Sequence, residues 1–145
     1  MGRKMESRTG PMDRRDNRRA AGLEDYAYRA SSRSPFNWEA FVRRMGNNRE
    51  LCKRVLAVFM QDTPRQLALL NQALAGFNLP EAQRAAHSIK GAAASIGAEA
   101  IHRAAYDVET AARDGNLKEV RERLPELEWA FASFLEAIAR NSLTE

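Results

Sequence analysis

His87, Lys90 and Gly91 lie at i, i+3 and i+4 within AHSIKGAAASIG, residues 86–97, and on a helix that spacing gathers all three on one side. The apolar residues of the stretch form a different stripe: Ala82, Ala86, Ile89, Ala93 and Ile96. At about 100° per residue His87 falls roughly 200° from Ile89, so its ring should face water. The outer face then offers an imidazole, a cation one turn away and, through Gly91 and Ala94, a patch with almost no side-chain bulk. A helical glycine costs about 1 kcal/mol against alanine. In a stretch that uses alanine freely, Gly91 reads as clearance for another molecule's backbone or anionic group.

Metal binding is poorly served by this pattern. His102 is the only other histidine, no H-x-x-x-H pair occurs, and Lys90 would repel a cation. Hydrolysis needs a base, an orienting carboxylate and an oxyanion hole in a cleft that excludes water, and a convex helix face supplies none of these. No glycine loop of the P-loop type occurs, so nucleotide binding in that manner is not expected. Phosphoryl acceptance fits better. Neutral imidazole is a good nucleophile, and Lys90 can stabilise the charge of a phosphorylated ring nitrogen. An exposed group can also be handed from one protein to another. An ordinary solvated face with an incidental His and Lys has the same spacing, and spacing does not separate the two.

The elements that must hold this face are all helical from Pro35 onward. NWEAFVRRMG predicts a short helix with Asn37 as N-cap, apolar Trp38, Phe41, Val42 and Met45, and Gly46 as its stop. Asn47 with Glu50 reads as a capping box opening a long helix. Its stripe of Cys52, Leu56, Phe59, Thr63, Leu67, Leu70, Leu74 and Phe77 advances by threes and fours. The phase survives Pro64, which predicts one kinked helix, although Thr63 could cap a second. Asn78, Pro80 and Glu81 start the helix that carries His87, and Gly97 ends it. A helix over about Glu99 to Asp114 turns Ile101, Ala105, Val108 and Ala112 inward and stops at Gly115. Asn116 and Glu119 cap a last helix whose stripe of Leu117, Val120, Leu124, Leu127, Phe131, Phe134 and Ile138 runs straight past Pro125. Links this short force antiparallel neighbours. The expected fold is all-α, an antiparallel up-down-up-down four-helix bundle with a short additional N-terminal helix, spanning residues 35–145.

Residues 1–34 hold nine Lys/Arg and five Asp/Glu, so they carry all of the chain's formal +4 charge. They have no apolar period and read as a disordered basic tail. That tail either stays solvated or docks on an acidic partner, a membrane or a nucleic acid, unless Met5 or Met12 is the true start. The folded part is charge-balanced, which argues against nucleic-acid binding through it. One cysteine, Cys52 on a core stripe, excludes a disulfide framework and suits a reducing cytoplasm. No apolar run approaches the roughly 18 residues of a membrane span.

AHSIKGAAASIGAEAIHRAAYDVETAARDGN, residues 86–116, resembles the signature region of the histidine-containing phosphotransfer (HPt) domain family. The family pattern is a histidine, an apolar residue at i+2, Lys-Gly at i+3 and i+4, a glycine ten residues on, and later an apolar-x-Glu/Gln ahead of a small-residue helix end. Here these are His87, Ile89, Lys90, Gly91, Gly97, Ile101 and the pair Val108–Glu109. FMQDTPRQLALLNQAL, residues 59–74, resembles the family's long helix with its mid-helix Thr-Pro. The resemblance covers about Phe36 to Ile138.

The resemblance implies a phosphorelay intermediate in two-component signalling. Such a domain takes a phosphoryl group onto histidine Nε2 from a receiver aspartate or a kinase and passes it to a receiver aspartate. It is a carrier and not an enzyme, without a cofactor of its own, because the receiver brings the Mg²⁺ and the catalytic lysine. The implied partners are a response-regulator receiver domain and a sensor or hybrid histidine kinase. By this carry-over His87 is the phosphoacceptor, Lys90 the charge partner and Gly91 the clearance for docking. Glu109 either bonds the other ring nitrogen or is an exposed carboxylate near Arg113. Gln83, Arg84 and Ala94 either line the docking face or are simply solvated. A bundle that docks without phosphorylation, and an acceptor domain belonging to a longer kinase, remain competing readings. Direction of transfer and oligomeric state stay open.

Overall fold

The computed structural model describes residues 36–144. The tail expected over residues 1–34 lies outside them. Five helices follow one another: α1 (Trp38–Arg44), α2 (Arg49–Ala75), α3 (Leu79–Ile96), α4 (Glu99–Arg113) and α5 (Leu117–Thr144). Among the described residues there is no strand. Each long helix packs on its neighbour in sequence, and α2 meets α5 to close the ring. This is the four-helix bundle with an added N-terminal helix that the periodicity predicts.

Local chemistry sets the helix ends. Asn37 accepts from Ala40 N at 2.9 Å, Asn78 from Glu81 N at 3.1 Å and Asn116 from Glu119 N at 3.0 Å, each meeting an amide that the first turn leaves unpaired. The start of α2 departs from expectation by one residue. Asn48, not Asn47, is its cap and accepts from Leu51 N at 3.0 Å. Asn47 instead takes φ +61° directly after Gly46 at φ +67°, so these two residues turn the chain. Asparagine tolerates that left-handed conformation better than most residues, which leaves the second asparagine free to cap.

α2 is one helix through Pro64. Thr63 is buried within it and Pro64 lies on the solvent side, where the amide that proline lacks is least missed. The stripe from Cys52 to Leu74 is buried except for half-buried Leu67. Phe77 does not join it. The helix has already ended at Ala75, so the helical period no longer governs its direction; Phe77 sits at φ +56°, is 68% exposed, and lies under the Arg121 guanidinium at 5.5 Å.

Two kinds of packing fill the bundle. Phe36 and Phe41 lie against one another and bring α1 onto an aromatic cluster with Phe59, Phe131 and Phe134; the Phe36–Phe134 and Phe59–Phe134 centroids are each 5.1 Å apart. The α3–α4 seam is different. Ala82, Ala85, Ala86 and Ala93 on one side face a helix that buries Ala104, Ala105, Ala111 and Ala112. Small side chains let two helix backbones approach closely, and across this seam the polar groups of the outer face come within bonding distance.

Candidate functional site

α3 supplies His87 and Lys90, one turn apart, and α4 supplies Glu109 and Tyr106, also one turn apart. The His87 side chain is 67% exposed, as its position off the apolar stripe requires. Glu109 is the opposite case, with only 5% of its side chain exposed. Its Oε2 lies 2.8 Å from His87 Nδ1, and its Oε1 lies 2.7 Å from Lys90 Nζ. Oε1 has no other partner among the described residues. The exposed-carboxylate reading therefore does not describe Glu109. Arg113, its proposed neighbour, turns to Thr110 Oγ1 at 3.4 Å.

Burial pushes the Glu109 carboxyl up, but Lys90 and His87 together overrule it and hold the group below its ordinary value. An ionised carboxylate can only accept. Nδ1 of a neutral His87 must then carry the proton, which leaves the Nε2 lone pair on the other side of a largely exposed ring. No described residue bonds Nε2.

Lys90 is less free than its place in the sequence suggests. Its side chain is 23% exposed, and its ammonium is shared between Glu109 and the face of Tyr106, 5.7 Å from the ring centroid. Gly91 is exposed, and a Cβ built on it would meet nothing within 4 Å. No crowding among the described residues calls for glycine there. Ala94 is exposed beyond it. Gln83 is half-buried, and Arg84 is exposed and paired with Glu81 at 2.6 Å.

Two participants carried no signal in the sequence. Tyr106 belongs to the site through the rotation of α4 against α3. Arg44 reaches from α1 to donate through Nη1 to the carbonyls of Ala94 and Ser95, both at 3.2 Å, and so satisfies the last turn of α3. The amphipathic pattern of α1 gave no hint of a partner fifty residues on. His102 is half-buried on α4 and stays outside the site. Among the described residues no three His, Cys, Asp or Glu side chains gather as a metal ion would require.

The helical bundle thus presents an imidazole that is largely exposed and oriented through Nδ1 by a buried carboxylate. The chain belongs to the Hpt domain family, which it matches over residues 54–141, more than half its length. Domains of this family carry phosphoryl groups in two-component phosphorelays, are not themselves enzymes, and interact with kinases and receiver domains. No match was found among curated proteins or among solved structures. Among the described residues no helix is long and apolar enough to cross a membrane.

Proposed function

We propose that His87 is the phosphoacceptor of this chain. It takes the group from a receiver aspartyl phosphate or from a kinase and returns it to a receiver aspartate. The carrying observation is the 2.8 Å contact between buried Glu109 and Nδ1 of an otherwise exposed ring. With a receiver aspartyl phosphate as donor, the Nε2 lone pair attacks phosphorus, the bond from phosphorus to the aspartyl oxygen breaks, and the aspartate carboxylate leaves with that electron pair. The ring keeps its Nδ1 proton and becomes positive, and the Glu109 carboxylate is already in place to balance it. Transfer onward reverses these changes.

Open space at Gly91 supports a close approach by the partner, since the partner's surface is what remains to account for a residue that costs helix stability. Gln83, Arg84 and Ala94 border the same face and belong to the docking surface in this reading. The buried Glu109 carboxylate beside the ring is engaged by two nitrogen donors; in this reading a metal ion required for transfer arrives with the receiver, and the chain has no cofactor of its own. The carrier unit is residues 35–145, with 1–34 an appended basic segment, and it works in the cytoplasm with its partners.

Incubation with a phosphorylated receiver domain tests this. Acid-labile, alkali-stable label is expected on the native chain and absent from His87→Gln. Label on neither, with any donor, would instead favour a bundle that docks without phosphorylation.

A further inference from the structure

Lys90 has a seat that the carrier function does not by itself explain. A lysine needed only to meet a phosphoryl group on Nε2 could wait in solvent. Here its ammonium rests between Glu109 Oε1 at 2.7 Å and the Tyr106 ring at 5.7 Å. Lys90 stands one turn from His87 on the same face, so a phosphoryl group on Nε2 is within the sweep of its four-carbon stem. The ammonium therefore has two alternative places, one before phosphorylation and one after. Tyr106 touches it in the first.

We infer that Tyr106 is a positioning residue whose ring holds Lys90 in its resting place, so that the phosphorylated state gains less from that lysine and the group stays transferable. The inference rests on His87 being the phosphoacceptor. Its thermodynamic basis is that a contact present in one state and absent in the other shifts the equilibrium by its own free energy. A cation over an exposed aromatic face is a contact of modest strength, enough for about a two- to fivefold shift. Tyr106 is 49% exposed, which places it in that class. The hydroxyl is not needed for this role, since the ring face carries the attraction.

The test uses the full chain with phosphoramidate as donor. Its P–N bond breaks as the bond from Nε2 to phosphorus forms, and ammonia leaves. Equilibrated with a fixed phosphoramidate and ammonium mixture and read by ³¹P NMR, Tyr106→Ala should raise the ratio of phosphorylated to free His87 about two- to fivefold. Tyr106→Phe should match the native chain, and Tyr106→Ala should have no effect in a Lys90→Met background. The ring current of Tyr106 gives a second readout. The Lys90 side-chain methylene resonances should be shifted upfield in the free chain and lose that shift on phosphorylation. A shift that persists after phosphorylation, or an effect of Tyr106→Ala that survives Lys90→Met, overturns the inference. So does the absence of the shift from the free chain, a result that does not depend on phosphorylation. Failure of the native chain to take label on His87 under any donor would remove the phosphoacceptor reading first and this one with it.

Discussion

Glu109→Gln separates a carboxylate that serves two donors from a residue that merely fills space. The amide is nearly isosteric, but it has one acceptor atom where the carboxylate has two. If the amide oxygen keeps the His87 Nδ1 proton, its NH₂ faces the Lys90 ammonium and Lys90 must leave. If the oxygen turns to Lys90, the NH₂ donates to Nδ1, the ring proton moves to Nε2, and the nucleophilic lone pair is gone. The second arrangement keeps the bond to Lys90 in addition to a bond on the ring. A hydrogen bond to a charged group contributes about 1.5–3 kcal/mol, and Lys90, being 23% exposed, belongs at the low end. A bias of about 1.4 kcal/mol leaves roughly one ring in ten with Nε2 unprotonated. Labelling by phosphoramidate, followed by ³¹P NMR, should therefore slow about tenfold, with ¹⁵N shifts of His87 reporting the exchanged tautomer. Adding Lys90→Met removes the competitor, so the double variant should label at close to the rate of Lys90→Met alone. Native-rate labelling of Glu109→Gln with Nδ1 still protonated would refute this account. A double variant no faster than Glu109→Gln would refute it as well.

Gly91→Arg should leave labelling by phosphoramidate near normal while sharply cutting transfer from a phosphorylated receiver, because the added bulk obstructs a protein and not a small molecule; Gly91→Ala should raise thermal stability by up to about 1 kcal/mol. Arg44→Ala removes both bonds to the last turn of α3, and should cost about 1 kcal/mol in urea unfolding at this exposed site and speed amide exchange around Gly97 and Ala98. Acid sensitivity follows from the lowered Glu109 value: its contribution is complete above the ordinary carboxylate value of 4.5 and is lost as pH falls through the folded-state value. Urea unfolding between about pH 6 and pH 3 should thus show a steeper decline in the native chain than in Glu109→Gln.

The exposed face of α3 was legible because it breaks a pattern. His87, Lys90 and Gly91 stand off a stripe whose residues all proved buried, and the same periodicity placed both interior prolines inside continuous helices. The burial of Glu109 could not be read this way. A residue beside Val108 lies at the edge of the stripe, and whether it faces solvent or α3 depends on how far α4 is rotated and how near it stands. That nearness comes from alanines on both helices, a property of the pair that neither helix shows alone. Tyr106 was missed for the same reason. Asn47 and Asn48 illustrate a different limit, since two adjacent residues with equal capping chemistry are told apart only by which of them the turn consumes. At Phe77 the period was extended two residues beyond the helix that justified it.

The placement of α1 bears on where the folding unit begins. The family match starts at residue 54, inside α2, yet Phe36 and Phe41 cover the aromatic end of the bundle and Arg44 ties the foot of α3. A truncated chain starting at residue 54 would retain His87, Lys90 and Glu109 while baring Phe134 to water, and contiguous apolar surface of that kind invites self-association. The smallest piece that behaves as a monodisperse carrier is accordingly longer than the piece that carries the signature.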